Sequence, residues 1–223
     1  DGVRAIDALV AQDFVDADRI AVCGGSQGGG IAYLVTAYLY HLQKTGKLPA
    51  DIRFKTYCSA GPKPGNLYFA HEYEAMTHNG WSYNVVNAAD WVPEVPFSVQ
   101  TIQDFNSTNP FSDASDFIKK QKFPQRLVFR RVYNKLNKPT RSAQKNFEKY
   151  LGLYAGKQVK KTLPEYESPE FYASNHFTRT GNFIVLLPDE KYWEVYPDEK
   201  EKVFKHHGLR PYYFLLQRQF DLK

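Results

Sequence analysis

Ser26 lies in a run of glycines whose spacing suits nucleophilic catalysis. The segment Gly24-Gly25-Ser26-Gln27-Gly28 fits the pattern G-x-S-x-G, and an apolar run over residues 20–23 precedes it. Between a strand and a helix this pattern holds a serine hydroxyl clear of the sheet, and the flanking glycines, Gly24 and Gly28, avoid collisions with nearby backbone. The Gln27 N–H is then the expected oxyanion donor. The competing interpretation, a phosphate-binding loop, is disfavoured because neither G-x-G-x-x-G nor a Lys-Ser/Thr pair occurs here.

A nucleophilic serine requires a base, and the base requires an orienting carboxylate. Asp90 is the leading acid, because it ends the strand-like run "SYNVVNAAD" and begins a proline-bearing loop. A carboxylate directly after the carboxyl end of a parallel strand is expected at the same sheet edge as Ser26. An ordinary turn aspartate is the structural alternative. Glu94, Asp104 and Asp113 are the substitute candidates for the acid.

The base is expected at His206 or His207, which follow the strand-like run "NFIVLLP" and come directly before the last predicted helix. When the chain order is serine, acid, histidine, the base must come after Asp90 and after a further strand. The remaining histidines fail on position, since they lie late on the helix after Ser26, before the acid, or before that strand: His41, His71, His78 and His176. Only one of the two adjacent rings can serve, because neighbouring side chains point in different directions.

The elements that must position these residues alternate along the chain. Apolar spacing predicts helices at 2–12, 29–44 and 67–77 and strands at 19–23, 52–58 and 81–87, with Gly46 ending the second helix. Short alternation of strands and helices predicts a parallel sheet covered by helices. After residue 96 the pattern is helical over 112–155, with Pro124 and Pro139 at first-turn positions, and no strand is predicted before 182–188. An aromatic amphipathic helix at 211–220 closes the chain.

This organisation predicts an α/β core with a helical insertion. The core comprises residues 1–103 with the nucleophile and acid, and residues 178–223 complete it and carry the histidine. The insertion spans 104–177. Two free, buried thiols, Cys23 and Cys58, are expected rather than a disulfide. No apolar run approaches the length of a membrane span, and the predicted chemistry requires neither a metal nor a cofactor.

Charge is concentrated in the insertion. Of 29 Lys and Arg residues, 14 lie between Lys119 and Lys161, whereas Glu148 is the single acid there among 24 in the chain. Aromatic and aliphatic residues alternate with these charges. A lid over the active site, attraction to an anionic lipid surface, and a solvated helical face are the competing interpretations. Nucleic-acid binding is not expected, since no known module is present.

Three segments resemble the class 3 (fungal-type) lipases of the α/β-hydrolase superfamily: "GGSQGGGIAYLVTAYL", "FKTYCSAGPKPGNLYFA" and "YNVVNAADWVPEVPF". The resemblance implies a three-layer αβα sandwich with a mostly parallel sheet, and it assigns Ser26 and Asp90 as nucleophile and acid. The segment "FTRTGNFIVLLPD" resembles the strand before the family's catalytic histidine. That histidine usually stands a few residues before an aromatic pair, which favours His207, ahead of Tyr212 and Tyr213, over His206.

Two departures from the family affect the expected substrate. Gly25 stands where these lipases usually have a histidine, and "VRAIDALVAQDFVDADRIAVCGGSQGGG" is more similar to acetyl xylan esterases and cephalosporin C deacetylases. A serine esterase acting on acyl or lipid esters is the leading interpretation. The alternatives are a carbohydrate acetyl esterase of the same fold and a non-catalytic binding protein that has kept the serine turn.

The front of the chain is short for this superfamily. Only 25 residues precede Ser26, whereas several strands usually precede the nucleophile, and a loop after one of them supplies the second oxyanion donor. We therefore expect that the chain lacks the N-terminal strands of its sheet, and that a further segment of the same protein completes the oxyanion site.

Overall fold

The computed structural model describes residues 19–170 and 172–221. These residues form two compact units. The core unit comprises the described residues up to Pro96 and those from Thr178 onward, and the helical unit comprises Phe97–Phe177. The sequence places its two boundaries at 103–104 and 177–178. The helix predicted over residues 2–12 lies outside the described residues.

The core unit alternates strands and helices. Its elements are β1 (Arg19–Gly25), α1 (Gln27–Lys44), β2 (Arg53–Ser59), β3 (Gly65–Asn66), α2 (Leu67–Met76), β4 (Ser82–Asn87), a 3₁₀ turn (Val92–Glu94), β6 (Asn182–Leu186), α6 (Glu190–Val195) and α7 (Leu209–Gln219). Asn66 caps α2 by accepting a hydrogen bond from the Phe69 N–H, and Gly46, with a φ of 71°, follows the end of α1 as expected. The predicted elements of this unit are confirmed within one or two residues wherever the structure describes them.

Among residues 19–170 and 172–221, four parallel strands form the main sheet, in the order β1-β2-β4-β6. The register places Gly25 of β1 beside Ser59 of β2, and Asn87 of β4 beside Leu186 of β6. All four strands therefore end at the same edge. This edge receives the residues that directly follow β1 and β4, and the parallel sheet covered by helices that the sequence predicts is present.

Helices bury different parts of the two sheet faces. On one face, Tyr33 of α1 and Tyr73 of α2 contact edge to face with ring centroids 5.1 Å apart, and Thr36 shares a buried hydrogen bond of 2.9 Å with Thr56. On the other face, Leu215 of α7 packs in one cluster with Leu186. These contacts fix β1, β2 and β4, whose ends carry the predicted site.

The Cys23 side chain is exposed although the residue lies in strand β1. Cys58 is buried, but Cys23 is exposed and lines a cleft of about 380 Å³ with Tyr57 and Val85. The expectation that both thiols are buried is therefore wrong for Cys23. The side chain lies on a part of the sheet face that no helix covers among the described residues, and an apolar strand sequence does not specify which faces are covered.

The helical unit contains α3 (Ala114–Lys119), α4 (Gln125–Asn146), a π-helix (Phe147–Leu153) and α5 (Tyr154–Thr162), after a 3₁₀ turn at Ile102–Asp104. The short strand β5 (Phe177–Thr178), which was not predicted, lies at the boundary with the core unit. None of the helices in the described parts of the chain is long and apolar enough to cross a membrane.

Pro139 corrects one detail of the predicted helices. Pro124 stands directly before α4, close to its predicted position, but Pro139 lies inside α4 rather than at the first turn of a new helix. A proline inside a helix leaves the carbonyl four residues earlier without its usual donor. Here that residue is Lys135, and both residues are exposed, so solvent can satisfy the carbonyl and the helix continues.

Candidate active site

Ser26 alone makes the turn between β1 and α1. β1 ends at Gly25 and α1 begins at Gln27, and Ser26 has φ 56° and ψ −132°. Residues with side chains rarely adopt this conformation, and it persists only where the surrounding structure enforces it. The Ser26 N–H donates to the Ser59 carbonyl across 2.9 Å, which ties the turn to β2. The strand–turn–helix context predicted for the glycine-rich motif is therefore present.

The glycines around Ser26 allow α1 to begin close to β1. A Cβ at Gly24 would lie 2.1 Å from the Gly28 carbonyl oxygen, and one at Gly29 would lie 3.1 Å from Gly61 Cα. At Gly28 itself a Cβ would meet nothing within 4 Å. The expectation that side chains on both sides of Ser26 would collide with backbone is thus wrong for Gly28. The close approach is at Gly24, where the backbone of β1 lies against the backbone of the first turn of α1.

The Gln27 N–H lies at the amino end of α1. As the first residue of the helix, Gln27 has no carbonyl within the helix to which its N–H can donate. The helix dipole adds partial positive charge at this end. The Gln27 N–H is therefore available to donate to a negatively charged oxygen close to Ser26.

Asp90 is buried and its carboxylate accepts three hydrogen bonds. Oδ1 accepts from the Val92 N–H at 3.0 Å, and Oδ2 accepts from the Tyr212 hydroxyl and from Nδ1 of His207, each at 2.8 Å. The Asp90 N–H donates to the Asn87 carbonyl at the end of β4. The carboxylate is thereby held in one orientation without contact with solvent.

One ring nitrogen of His207 is hydrogen-bonded to Asp90, and the other is able to accept a proton. The Asp90 carboxylate can only accept a hydrogen bond from Nδ1 of His207. The proton of the neutral ring therefore resides on Nδ1, and Nε2 is unprotonated. The Phe204 ring lies beside the imidazole with centroids 5.8 Å apart, and the His207 N–H donates to the Phe204 carbonyl. Burial raises the pKa of Tyr212, and the adjacent Asp90 carboxylate raises it further, so this phenol remains a hydrogen-bond donor at neutral pH.

His206 belongs to a different network. Its Nδ1 lies 2.7 Å from the Tyr192 hydroxyl and its Nε2 lies 3.0 Å from Oδ1 of Asp198. The His206 carbonyl accepts from Nδ2 of Asn87. Both ring nitrogens of His206 are therefore occupied by contacts that hold the loop before α7, and neither contacts Asp90.

Asn87 and Tyr192 are two further site residues that sequence reasoning did not single out. Asn87 is buried at the end of β4 and donates to the Tyr192 hydroxyl at 2.9 Å, while its Oδ1 accepts from the Ala89 N–H. It thus shapes the turn to Asp90 and anchors the histidine loop. Its place at the end of a strand, three residues before Asp90 in "VVNAAD", could have identified it from the sequence. Nothing in the local sequence marked Tyr192, because its contacts are made 105 residues away.

The structure brings Asp90 and His207 into contact and places Ser26 at the same edge of the sheet. The hydrogen bonds of the described residues do not include one between the Ser26 hydroxyl and the His207 ring. The other candidate acids have different positions: Glu94 is exposed in the 3₁₀ turn, Asp104 caps the turn at Ile102–Asp104, and Asp113 precedes α3.

The histidines rejected on position lie elsewhere. His41 is in the last turn of α1, His71 is on α2, and the His78 ring contacts the Ala75 carbonyl. His176 belongs to the helical unit. Within residues 19–170 and 172–221, no cluster of His, Cys, Asp or Glu is arranged to hold a metal ion.

One family of known proteins matches the segment that contains Ser26 and Asp90. The sequence model of Lipase (class 3) matches residues 5–100. The matched segment is thus similar to class 3 lipases over a little under half of the chain. It contains Ser26 and Asp90, whereas His207 lies beyond it.

A solved structure described as the M37 lipase is also similar, with 20% identity and a TM-score of 0.33. The match covers 53% of this chain and 34% of that lipase, so it spans about a third of the lipase's length. No curated protein matches the chain. The resemblance of the front segment to acetyl xylan esterases remains a prediction.

Proposed function

We propose that this chain provides the catalytic residues of a serine carboxylester hydrolase of the lipase type. Ser26 is the nucleophile, His207 the general base, Asp90 the residue that orients the base, and Gln27 an oxyanion donor. The observation that carries the proposal is the 2.8 Å hydrogen bond between Nδ1 of His207 and Oδ2 of Asp90. This bond leaves Nε2 of the imidazole as the basic atom, and the family assignment of residues 5–100 supports ester hydrolysis.

In the proposed first step the Ser26 hydroxyl oxygen attacks the ester carbonyl carbon and its proton passes to Nε2 of His207. The step requires the hydroxyl within reach of Nε2, a contact that often shortens only when substrate binds. The carbonyl oxygen becomes an oxyanion near the Gln27 N–H, and each such donor typically contributes about 3 kcal/mol. Asp90 stabilises the imidazolium while the proton resides there.

The tetrahedral intermediate then collapses. The bond to the alcohol oxygen breaks, His207 returns the proton to that oxygen, and the acyl group stays on Ser26. In the second half, His207 removes a proton from water, the resulting hydroxide attacks the acyl carbon, and Ser26 is released with its proton restored. A second oxyanion donor beside the Gln27 N–H would complete the site.

A fluorophosphonate probe tests the nucleophile directly. We expect labelling of the full chain, with the modified peptide containing Ser26, and no labelling of Ser26→Ala. Ser59→Ala is a matched control, because Ser59 lies beside Ser26 at the end of β2, and this variant should retain the label. An unlabelled parent chain, or a label that survives in Ser26→Ala, would remove the serine mechanism.

A chain-length series tests the substrate class. Rates on p-nitrophenyl acetate, butyrate and octanoate should extend to the longer acyl chains if the protein is lipase-like. Activity confined to acetyl esters, with hydrolysis of acetylated sugars, would instead favour the carbohydrate esterase indicated by the front segment.

A further inference from the structure

Helix α4 of the helical unit carries many positive charges and no negative ones. Gln125–Asn146 contains no acidic residue but seven basic ones: Arg126, Arg130, Arg131, Lys135, Lys138, Arg141 and Lys145. All seven are exposed, and the ion pairs of the described residues include none of them. Such a surface attracts a polyanionic partner.

An exposed apolar stripe runs along the same helix. Val128, Phe129, Val132 and Leu136 follow the spacing that places side chains on one face of a helix, and between 43% and 69% of each is exposed. Helices of soluble proteins normally turn such a stripe toward the interior. Instead, α4 buries a polar position, Gln144, and the apolar stripe is left available for a partner.

A basic cleft lies between α3 and α4. It has a volume of about 370 Å³, and Arg126, Arg130 and Lys119 line it together with the polar side chains of Ser115 and Asn134. Lys119 is paired with Asp116 at 2.7 Å, so the two arginines supply the uncompensated charge. Guanidinium groups match phosphate oxygens in a bidentate geometry, and the cleft is therefore suited to a phosphate-bearing headgroup.

We propose that α3 and α4 dock the protein on an anionic phospholipid bilayer. The apolar stripe enters the boundary between headgroups and acyl chains, and Arg126 and Arg130 bind headgroup phosphates. A bilayer offers anionic phosphates and an apolar layer side by side, which is the combination that α4 presents. A nucleic acid would engage the basic residues but would leave Val132 and Leu136 in water.

Binding to vesicles measures this property apart from catalysis. The full chain carrying Ser26→Ala is sedimented with vesicles of phosphatidylcholine, and with vesicles in which about a third of the lipid is phosphatidylserine. We expect binding to the anionic vesicles only, with loss of most of it as the salt concentration rises from about 0.1 M to about 0.5 M. Equal binding to both vesicles would overturn the proposal. It would leave the proposed hydrolase function standing, because that function is tested separately on the parent chain with soluble esters.

A charge variant tests the role of the arginines. Arg126→Gln/Arg130→Gln/Arg131→Gln should lower the vesicle partition coefficient about 100-fold, because each near-surface charge multiplies it by roughly five. Lys44→Gln/Lys47→Gln/Lys200→Gln removes the same charge from exposed positions of the core unit and should leave binding within about two-fold. Equal losses in the two variants would show a non-specific effect of net charge and would overturn the assignment to α4.

An apolar variant separates the bilayer from other anionic partners. Val132→Ser/Leu136→Ser should weaken vesicle binding about ten-fold or more, whereas Leu187→Ser/Val195→Ser, with equally exposed residues of the core unit, should not. If the stripe variant binds vesicles as its control does, or if the parent binds a single-stranded DNA oligonucleotide more tightly than the vesicles, the bilayer is not the partner.

Discussion

Nδ1 of His207 donates to Oδ2 of Asp90 across 2.8 Å, although the two residues are separated by 117 positions in the chain. The contact forms because the end of β4 and the loop before α7 meet at one edge of the sheet. Asn87 strengthens this junction, since its amide donates to the Tyr192 hydroxyl and to the His206 carbonyl. The hydrogen bond to Asp90 distinguishes His207 from the adjacent His206, whose ring contacts Tyr192 and Asp198 instead.

The first prediction concerns those two histidines. His207→Gln should lower kcat/KM for p-nitrophenyl butyrate by roughly four orders of magnitude, because the base is lost. His206→Gln should lower it by less than about ten-fold and should cost about 1–2 kcal/mol of unfolding free energy, since it breaks contacts with Tyr192 and Asp198. Steady-state kinetics and urea unfolding provide the two measurements. A larger catalytic loss in the His206 variant would reverse the assignment.

Tyr212 is expected to position Asp90. Tyr212→Phe removes a buried hydrogen bond to the carboxylate, which should cost about 1.5–3 kcal/mol of stability and lower kcat several-fold with KM nearly unchanged. Tyr213→Phe is the matched control, because Tyr213 is exposed and should behave like the parent. A Tyr212→Phe variant with unchanged kcat would assign that hydroxyl a purely structural role.

Most of the core unit followed from local patterns. The alternation of strands and helices from Arg19 to Asn87 depends on apolar spacing and on glycine positions, both of which are visible in the sequence. The position of Ser26 was equally accessible, because the conformation of its turn demands small neighbours. The position of Asp90 at this edge of the sheet was predicted because the residue comes shortly after a strand.

The remainder depends on tertiary structure. Residue spacing alone could not separate His206 from His207, since side-chain direction in a loop is set by distant contacts such as those of Asn87 and Tyr192. The burial of Cys23 was predicted wrongly because a strand sequence does not tell which sheet faces are covered. Pro139 was placed at a helix start because a local rule takes no account of the exposure of α4.

The contrast between two glycines beside Ser26 yields a stability prediction. Gly24→Ala should destabilise the protein by more than about 3 kcal/mol, because the new methyl would lie 2.1 Å from the Gly28 carbonyl oxygen and only a backbone shift could relieve the overlap. Gly28→Ala meets nothing within 4 Å and should stabilise α1 by up to about 1 kcal/mol. Urea unfolding of both variants decides the matter, and equal stabilities would contradict the packing described around β1.

Buried tyrosines predict a loss of stability at alkaline pH. Burial is the main cause that raises the pKa of Tyr33, Tyr73 and Tyr212, for Tyr73 to about 12. Their hydroxyls bond inside the core unit, as Tyr33 does with the Thr180 carbonyl and Tyr73 with Ser82. Above the ordinary value of 10.0 the unfolded chain releases these protons while the folded chain retains them. A raised pKa therefore contributes stability that is complete below pH 10 and is lost as the pH rises further.

Each retained proton should lower the unfolding free energy by up to about 1.4 kcal/mol per pH unit above pH 10. Urea midpoints measured from about pH 8 to about pH 11 should accordingly be flat at first and then fall steeply. Tyr212→Phe removes one of the groups whose pKa burial raises and should make the fall measurably shallower, whereas Tyr213→Phe should follow the parent curve. Parallel curves for all three proteins would mean that the Tyr212 hydroxyl ionises in the folded state as readily as in the unfolded chain, which its hydrogen bond to the Asp90 carboxylate opposes.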